Sequence, residues 1–98
     1  MEIKDTEEEG KTVVYLSGRL DTKTAPELEA HIKAGGIGDN GLILDLSDLE
    51  YVSSAGLRVI LATHKMMVNR GGFILRNAQD TVMEVLNATG FADVLNIQ

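Results

Sequence analysis

The sequence has no cysteine, few basic residues and only two histidines, and each shortage excludes a class of chemistry. Without cysteine the chain cannot form a disulfide framework, a thiolate metal site or a thiol nucleophile. Nine Lys and Arg residues against fifteen Asp and Glu give a net charge of −6, and the basic residues form no run. Because binding to nucleic-acid phosphates needs a basic surface, this composition argues against a nucleic-acid binder.

Long apolar segments are missing as well. The longest apolar run, from Val59 to Ala62, is far too short to span a bilayer. The N-terminus, Met1–Asp5, is charged where a signal peptide would have its apolar core. We therefore expect a cytoplasmic protein without a membrane-inserted segment.

The overall composition is typical of one folded domain, which we expect to cover residues 1–98. Hydrophobic residues make up 44% and charged residues 24%, so that a core can form without a long disordered part. Apolar runs with period two predict strands, and runs with spacings of three and four predict helices. The predicted strands are Met1–Asp5, Thr12–Ser17, Leu42–Leu46, Phe73–Leu75 and Val94–Ile97, and the predicted helices run from Thr24 to Gly35, Ala55 to Asn69 and Asp80 to Asn87.

The resulting order is β-β-α-β-α-β-α-β, an α/β layer sandwich with a mixed sheet. The opening hairpin should be antiparallel and the strands joined by helices parallel. Thr24 and Glu27 are spaced as a capping box for the first helix. The second helix should bury Leu57, Ile60, Leu61 and Val68, and Gly18–Asp21 and Ser47–Ser54 are predicted as loops.

Two short patterns suggest known motifs, but neither meets the requirements of its motif. Gly36, Gly38 and Gly41 fit the dinucleotide pattern G-x-G-x-x-G, but they follow a helix and open a strand, whereas the phosphate-binding turn does the reverse. A serine between a strand and a helix also suggests the nucleophile elbow of α/β hydrolases. That elbow needs G-x-S-x-G, which Val52 and Gly56 do not supply around Ser54.

The titratable residues give no stronger candidate for catalysis. His31 and His64 fit partly buried helix positions better than a general base, and two histidines without cysteine make a poor metal site. Asp45 or Asp48 could act as an aspartyl phosphoacceptor, but Asp5 alone would hold the required Mg²⁺ poorly. The sequence therefore predicts no catalytic residue, no cofactor and no metal site.

The corner before the second helix is the most informative segment. Ser53 and Ser54 precede the apolar periodicity, where a serine hydroxyl can cap free backbone N–H groups. A glycine in the first turn of a helix, such as Gly56, makes the helix roughly 1 kcal/mol less stable than an alanine would. Something should therefore approach the backbone closely at Gly56, whether a helix, a strand or a partner protein.

Several separated elements of the chain resemble one known family. Leu46–Leu49 together with Tyr51–Leu57 is similar to the signature of the STAS domain of bacterial anti-sigma-factor antagonists. Gly18–Asp21 resembles the family's G-x-L-D element, and Gly71-Gly72 and Thr89–Phe91 also fit. The resemblance covers nearly the whole chain, and it implies a single STAS-like layer sandwich.

The resemblance also implies a function. Stand-alone family members bind a serine kinase that doubles as an anti-sigma factor, which then releases its sigma factor. The kinase phosphorylates the antagonist and ends the binding, and a serine phosphatase resets the cycle. The family's phosphoacceptor lies two residues before the motif glycine, which here is Ser54. Many members carry aspartate directly before it; this chain has Ser53, which becomes a second possible acceptor.

We expect the partner to contact the surface around this corner. The predicted contact residues are Asp21, Thr22, Ser53, Ser54, Ala55, Gly56 and Arg58. Polar capping of the first helix is an equal alternative for the Asp21 loop, and a solvated surface position is the alternative for Arg58. Two other functions stay open: a STAS module of a stressosome-type or lipid-transport complex, and a small enzyme with Ser54 as nucleophile.

Overall fold

The computed structural model describes all 98 residues and contains a five-stranded mixed sheet with the strands in sequence order. β1 is antiparallel to β2, and every later pair is parallel, which confirms the predicted fold class. None of the helices combines the length and apolar character needed to cross a membrane. The elements are β1 (Glu2–Glu8), β2 (Lys11–Leu20), α1 (Ala25–Lys33), β3 (Leu42–Val52), α2 (Ser54–Met67), β4 (Phe73–Arg76), α3 (Asp80–Ala88) and β5 (Asn96–Ile97).

All three helices lie on one face of the sheet. Each crossover moves one strand along the sheet in the same direction, and right-handed crossovers of this kind place their helices on the same side. The alternate strand residues that face the helices join their apolar sides in one cluster of 21 buried residues. The strands contribute, among others, Val14, Leu16, Leu42, Leu44 and Leu75, and the helices contribute Leu28, Leu57, Ile60, Val82 and Leu86.

The two central strands are longer than the sequence predicts. Ser47–Ser54 was predicted as a loop, but β3 continues to Val52, and β2 continues to Leu20 through the segment predicted to leave the sheet. Leu20 pairs with Val52, after two register shifts that let the strands stay together past Gly18, which has φ +93°. Both predictions were wrong because pairing, rather than local composition, ends these strands.

Smaller boundary errors have similar causes. β1 runs to Glu8 because Glu7 and Glu8 pair with β2, so that the turn contains only Glu9 and Gly10. Val68, predicted to be buried, is 59% exposed at the end of α2, and Val94, predicted in the last strand, precedes β5 and is 55% exposed. The predicted capping box is also absent. The side chain of Thr24 makes no capping bond to α1 and faces the preceding loop instead.

The face of the sheet without helices carries a polar network. Tyr15, Asp45 and Arg76 lie side by side on β2, β3 and β4. The Arg76 guanidinium donates to Asp45 at 2.8 Å, to the Tyr15 hydroxyl at 3.0 Å and to both carboxylate oxygens of Glu8 at 2.7 and 3.1 Å. Val13, two residues before Tyr15 on the same face of β2, is fully buried.

Asp45 is therefore a structural residue. Its side chain is 3% exposed and also accepts hydrogen bonds from Ser47 and Asn77. Burial raises the pKa of Asp45, but the hydrogen bonds from Arg76, Ser47 and Asn77 outweigh burial and hold this pKa below its usual value. These bonds leave the carboxylate poorly placed to accept a phosphoryl group.

Candidate functional site

The corner between β3 and α2 is fixed by the backbone of Ser53. Ser53 is extended, with φ −96° and ψ 174°, and its N–H donates to the Leu20 carbonyl at 2.8 Å. Its carbonyl accepts the first helical bond from Leu57 at 2.9 Å, and its side-chain hydroxyl accepts from the Gly56 N–H at 3.3 Å. Ser53 is thus the N-cap of α2, and its half-buried hydroxyl has a structural partner.

Ser54 differs from Ser53 in both exposure and bonding. It is the first residue of α2, it is exposed, and its hydroxyl has no hydrogen-bond partner within the protein. The first turn of α2 contains no acidic residue. The positive end of the helix dipole and the free N–H groups at this end would stabilise a negative group there.

Another segment of the protein approaches the backbone closely at Gly56, as its position in the sequence predicts. A β-carbon at this position would lie 2.7 Å from Cγ of Leu20 and 3.1 Å from the Leu20 carbonyl oxygen. The approaching element is therefore β2 of the same protein. Glycine lets α2 sit directly against the end of β2, which brings the loop after Leu20 beside the serine corner.

That loop is held rigidly by Asp21. Its carboxylate accepts from the N–H of Thr24 at 3.1 Å and of Lys23 at 2.9 Å, and the Thr24 hydroxyl donates to the Arg19 carbonyl at 2.8 Å. The Thr24 N–H, followed by the Lys23 N–H, lowers the pKa of Asp21, so that it is ionised at neutral pH. Asp21 therefore closes the turn before α1, whereas Thr22 is exposed.

The remaining predicted contact residues also lie at this corner. Ala55 is half-buried beside Ser54, and Gly56 is buried. Arg58 is exposed one turn into α2, and it makes no ion pair or hydrogen bond. Of the seven predicted residues, Thr22, Ser54 and Arg58 thus present exposed side chains, while Asp21, Ser53 and Gly56 shape the corner.

One pair of surface residues was not predicted. The guanidinium of Arg19 stacks 4.2 Å from the ring centroid of Tyr51, which is 38% exposed. The two residues are register partners near the ends of β2 and β3, immediately before the two loops of the site. Both belong to the segments that carry the family resemblance, which was the available signal in the sequence.

No histidine is placed to activate Ser54. His64 is ten residues further along α2, which is about 15 Å along the helix axis. His31 lies in the last turn of α1, where its Nε2 contacts the Asp5 carboxylate at 2.7 Å. No three His, Asp or Glu side chains converge in a way that could hold a metal ion. Ser54 thus presents an exposed hydroxyl at the start of α2 with no histidine beside it.

Comparison with known proteins identifies the family. The model of the STAS domain matches residues 2–98. The chain belongs to the STAS-domain family. The family match covers nearly every residue, and it agrees with the resemblance found in the separated motif segments.

Several relatives of this STAS chain are named anti-sigma factor antagonists. BtrV of Bordetella bronchiseptica, a candidate anti-sigma factor antagonist, is 33% identical over 91 residues, covering 91% of this chain and 78% of its own. The crystal structure of an anti-sigma factor antagonist from Mycobacterium paratuberculosis superposes with a TM-score of 0.86 at 27% identity, covering 98% of this chain and 83% of its own. The Bacillus cell-fate determinant SpoIIAA in its phosphorylated form has the same fold, with a TM-score of 0.71 at 19% identity over 99% of this chain and 91% of its own.

Proposed function

We propose that this STAS domain, residues 1–98, is a cytoplasmic anti-sigma-factor antagonist that binds an anti-sigma factor with serine kinase activity. Binding makes the kinase release its sigma factor, and phosphorylation of Ser54 ends the binding until a serine phosphatase removes the phosphate. The proposal needs no catalytic residue, cofactor or metal ion in this chain. The names of the relatives support the class of function.

The exposed, unpaired hydroxyl of Ser54 at the first position of α2 is the observation that carries the proposal. A kinase must reach the hydroxyl, and the partner must meet the same surface. Ser54 offers both on a rigid support, because Ser53 and Gly56 fix the corner against β2. Ser53 is the weaker acceptor since its hydroxyl is half-buried and accepts from the Gly56 N–H.

Phosphorylation should act on the partner more than on the fold. A phosphate brings about −1.5 to −2 charges at pH 7. The N-terminus of α2 tolerates this charge within the domain, because the helix dipole favours an anion there. At an interface, the same charge and its hydration must be accommodated by the partner. A loss of about 3 kcal/mol would weaken binding roughly a hundredfold, which is enough for an exchange of partners.

The test is to incubate the protein with candidate anti-sigma kinases and ATP, and to read the intact mass, the modified residue and the affinity for the kinase. We expect a single phosphate on Ser54, its absence in Ser54→Ala, and weaker binding of the modified protein. Ser53→Ala is the matched control and should still be phosphorylated. Binding without phosphorylation by any candidate kinase would instead favour a STAS module of a different assembly. Labelling of Ser54 by a serine-directed phosphonate would favour the enzyme alternative.

A further inference from the structure

Arg58 is the one arginine of this chain that has no partner. Arg19 stacks on Tyr51, Arg70 pairs with Asp39 at 2.7 Å, and Arg76 pairs with Glu8 and Asp45. Arg58 is exposed and makes no ion pair, hydrogen bond or stacking contact. An arginine that has no structural contact is free to bind a group that arrives later.

The position of Arg58 relative to Ser54 is set by the helix. The two residues are four apart in α2, so that they lie on the same face with their β-carbons about 5–6 Å apart. In this order the anionic residue is N-terminal to the cationic residue, which is the more favourable arrangement for such a pair. The first turn of α2 holds no acidic residue that could compete for the guanidinium.

The other charged residues around this corner are less suited than Arg58 to bind a phosphate on Ser54. Asp21 stands at the end of β2, one residue after the Leu20 carbonyl that binds the Ser53 N–H. Its carboxylate is ionised, and Glu50 near the end of β3 is also acidic, so neither residue could bind a phosphate on Ser54. Arg19 is held on Tyr51, and Lys23 is exposed in the loop before α1. Arg58 is the cation with a defined helical geometry toward Ser54.

We propose that Arg58 binds the phosphate of phosphorylated Ser54 within the same helix and so positions it. This inference rests on the proposed function, because it needs a phosphate on Ser54. The planar guanidinium can donate two parallel hydrogen bonds to phosphate oxygens. Phosphorylation then changes the contact surface twice, since it adds an anion and also withdraws an exposed arginine from the partner. Arg58 is available to an acidic group of the partner only while Ser54 is unmodified.

The test does not depend on finding the kinase. Phosphoserine is incorporated at position 54 during translation, and the second pKa of the phosphate is measured by ³¹P NMR titration in the wild type, Arg58→Gln and Arg58→Lys. Arg58→Gln should raise this pKa by about 0.4, because the pair stabilises the dianion by roughly 0.5 kcal/mol. Arg58→Lys should give a value between the two. Lys65→Gln, an exposed change two turns further along α2, is the control and should leave the pKa unchanged.

A thermal double-mutant cycle gives the second readout. Arg58→Gln should lower the melting temperature of the phosphorylated protein more than that of the unmodified protein, in which Arg58 has no contact. Equal effects of Arg58→Gln and Lys65→Gln on the phosphate pKa, with no coupling in the cycle, would overturn the inference. Failure of every kinase to phosphorylate Ser54 would instead overturn the proposed function, and it would leave these two measurements on the translated phosphoprotein unaffected.

Discussion

Replacing Arg76 by leucine should destabilise the protein strongly at neutral pH. Arg76 donates to the Asp45 carboxylate at 2.8 Å, and that carboxylate is only 3% exposed. Removing one partner of a buried ion pair costs about 3–5 kcal/mol, because the other charge stays buried and uncompensated. Asp45 would keep its hydrogen bonds from Ser47 and Asn77, so the expected cost is at the lower end, about 3 kcal/mol.

This cost should appear directly in unfolding experiments. For a domain of this size, about 3 kcal/mol corresponds to a fall in melting temperature of roughly 10–20 °C. Urea unfolding at pH 7 should show the same loss as a lower midpoint with an unchanged slope. Arg70→Leu is the matched control, because the Arg70–Asp39 pair is largely exposed and should contribute about 1 kcal/mol or less.

The pH dependence gives a second check on the cause. In the wild type the pKa of Asp45 is held below its usual value, so the stability it contributes is present at neutral pH and is lost as the pH falls through the folded pKa. Without Arg76, burial is less well opposed and the pKa of Asp45 rises, so the folded variant takes up its proton at a higher pH than the wild type. The difference in free energy of unfolding between wild type and Arg76→Leu should therefore become smaller between pH 7 and about pH 4. The reasoning would be refuted if Arg76→Leu lost no more free energy of unfolding at pH 7 than Arg70→Leu does. It would also be refuted if the difference from wild type became larger in acid.

Three further predictions concern the serine corner and the acidic residues. Ser53→Ala should lower the free energy of unfolding by about 1 kcal/mol through loss of the helix cap. Ser54→Ala should change it by less than about 0.5 kcal/mol, and urea unfolding of the two variants would distinguish them. Gly56→Ala should destabilise by about 1 kcal/mol, because crowding against Leu20 outweighs the gain in helix propensity; a higher urea midpoint would contradict this. Stability should fall in acid below about pH 4.5, because the pKa values of three carboxylates are lower in the folded protein than usual, namely those of Glu8, Asp21 and Asp45. A urea midpoint that stays constant down to about pH 3 would contradict their role.

The arrangement of elements was predictable because it depends on local periodicity. The near-continuous apolar run from Leu42 to Leu46 predicts a central strand, and the spacing of Leu57 and Ile60 predicts a buried helix face; both are confirmed. The opening hairpin and the crossovers then leave little choice of topology. The serine corner was predictable too, since Ser53, Ser54 and Gly56 stand at a strand-to-helix transition and within a family-like motif.

The sequence alone determined which elements form, in what order, and that a serine pair stands at the start of the second helix. Only the tertiary structure decided where β2 and β3 end, because strand ends depend on pairing between Leu20 and Val52, which are 32 residues apart. It also decided that Leu20 is the neighbour of Gly56, and that Arg76 pairs with the Asp45 carboxylate. The difference between Ser53 and Ser54 arises in the same way. Their chemistry is identical, and only the path of the backbone at the corner makes one hydroxyl a cap and leaves the other exposed.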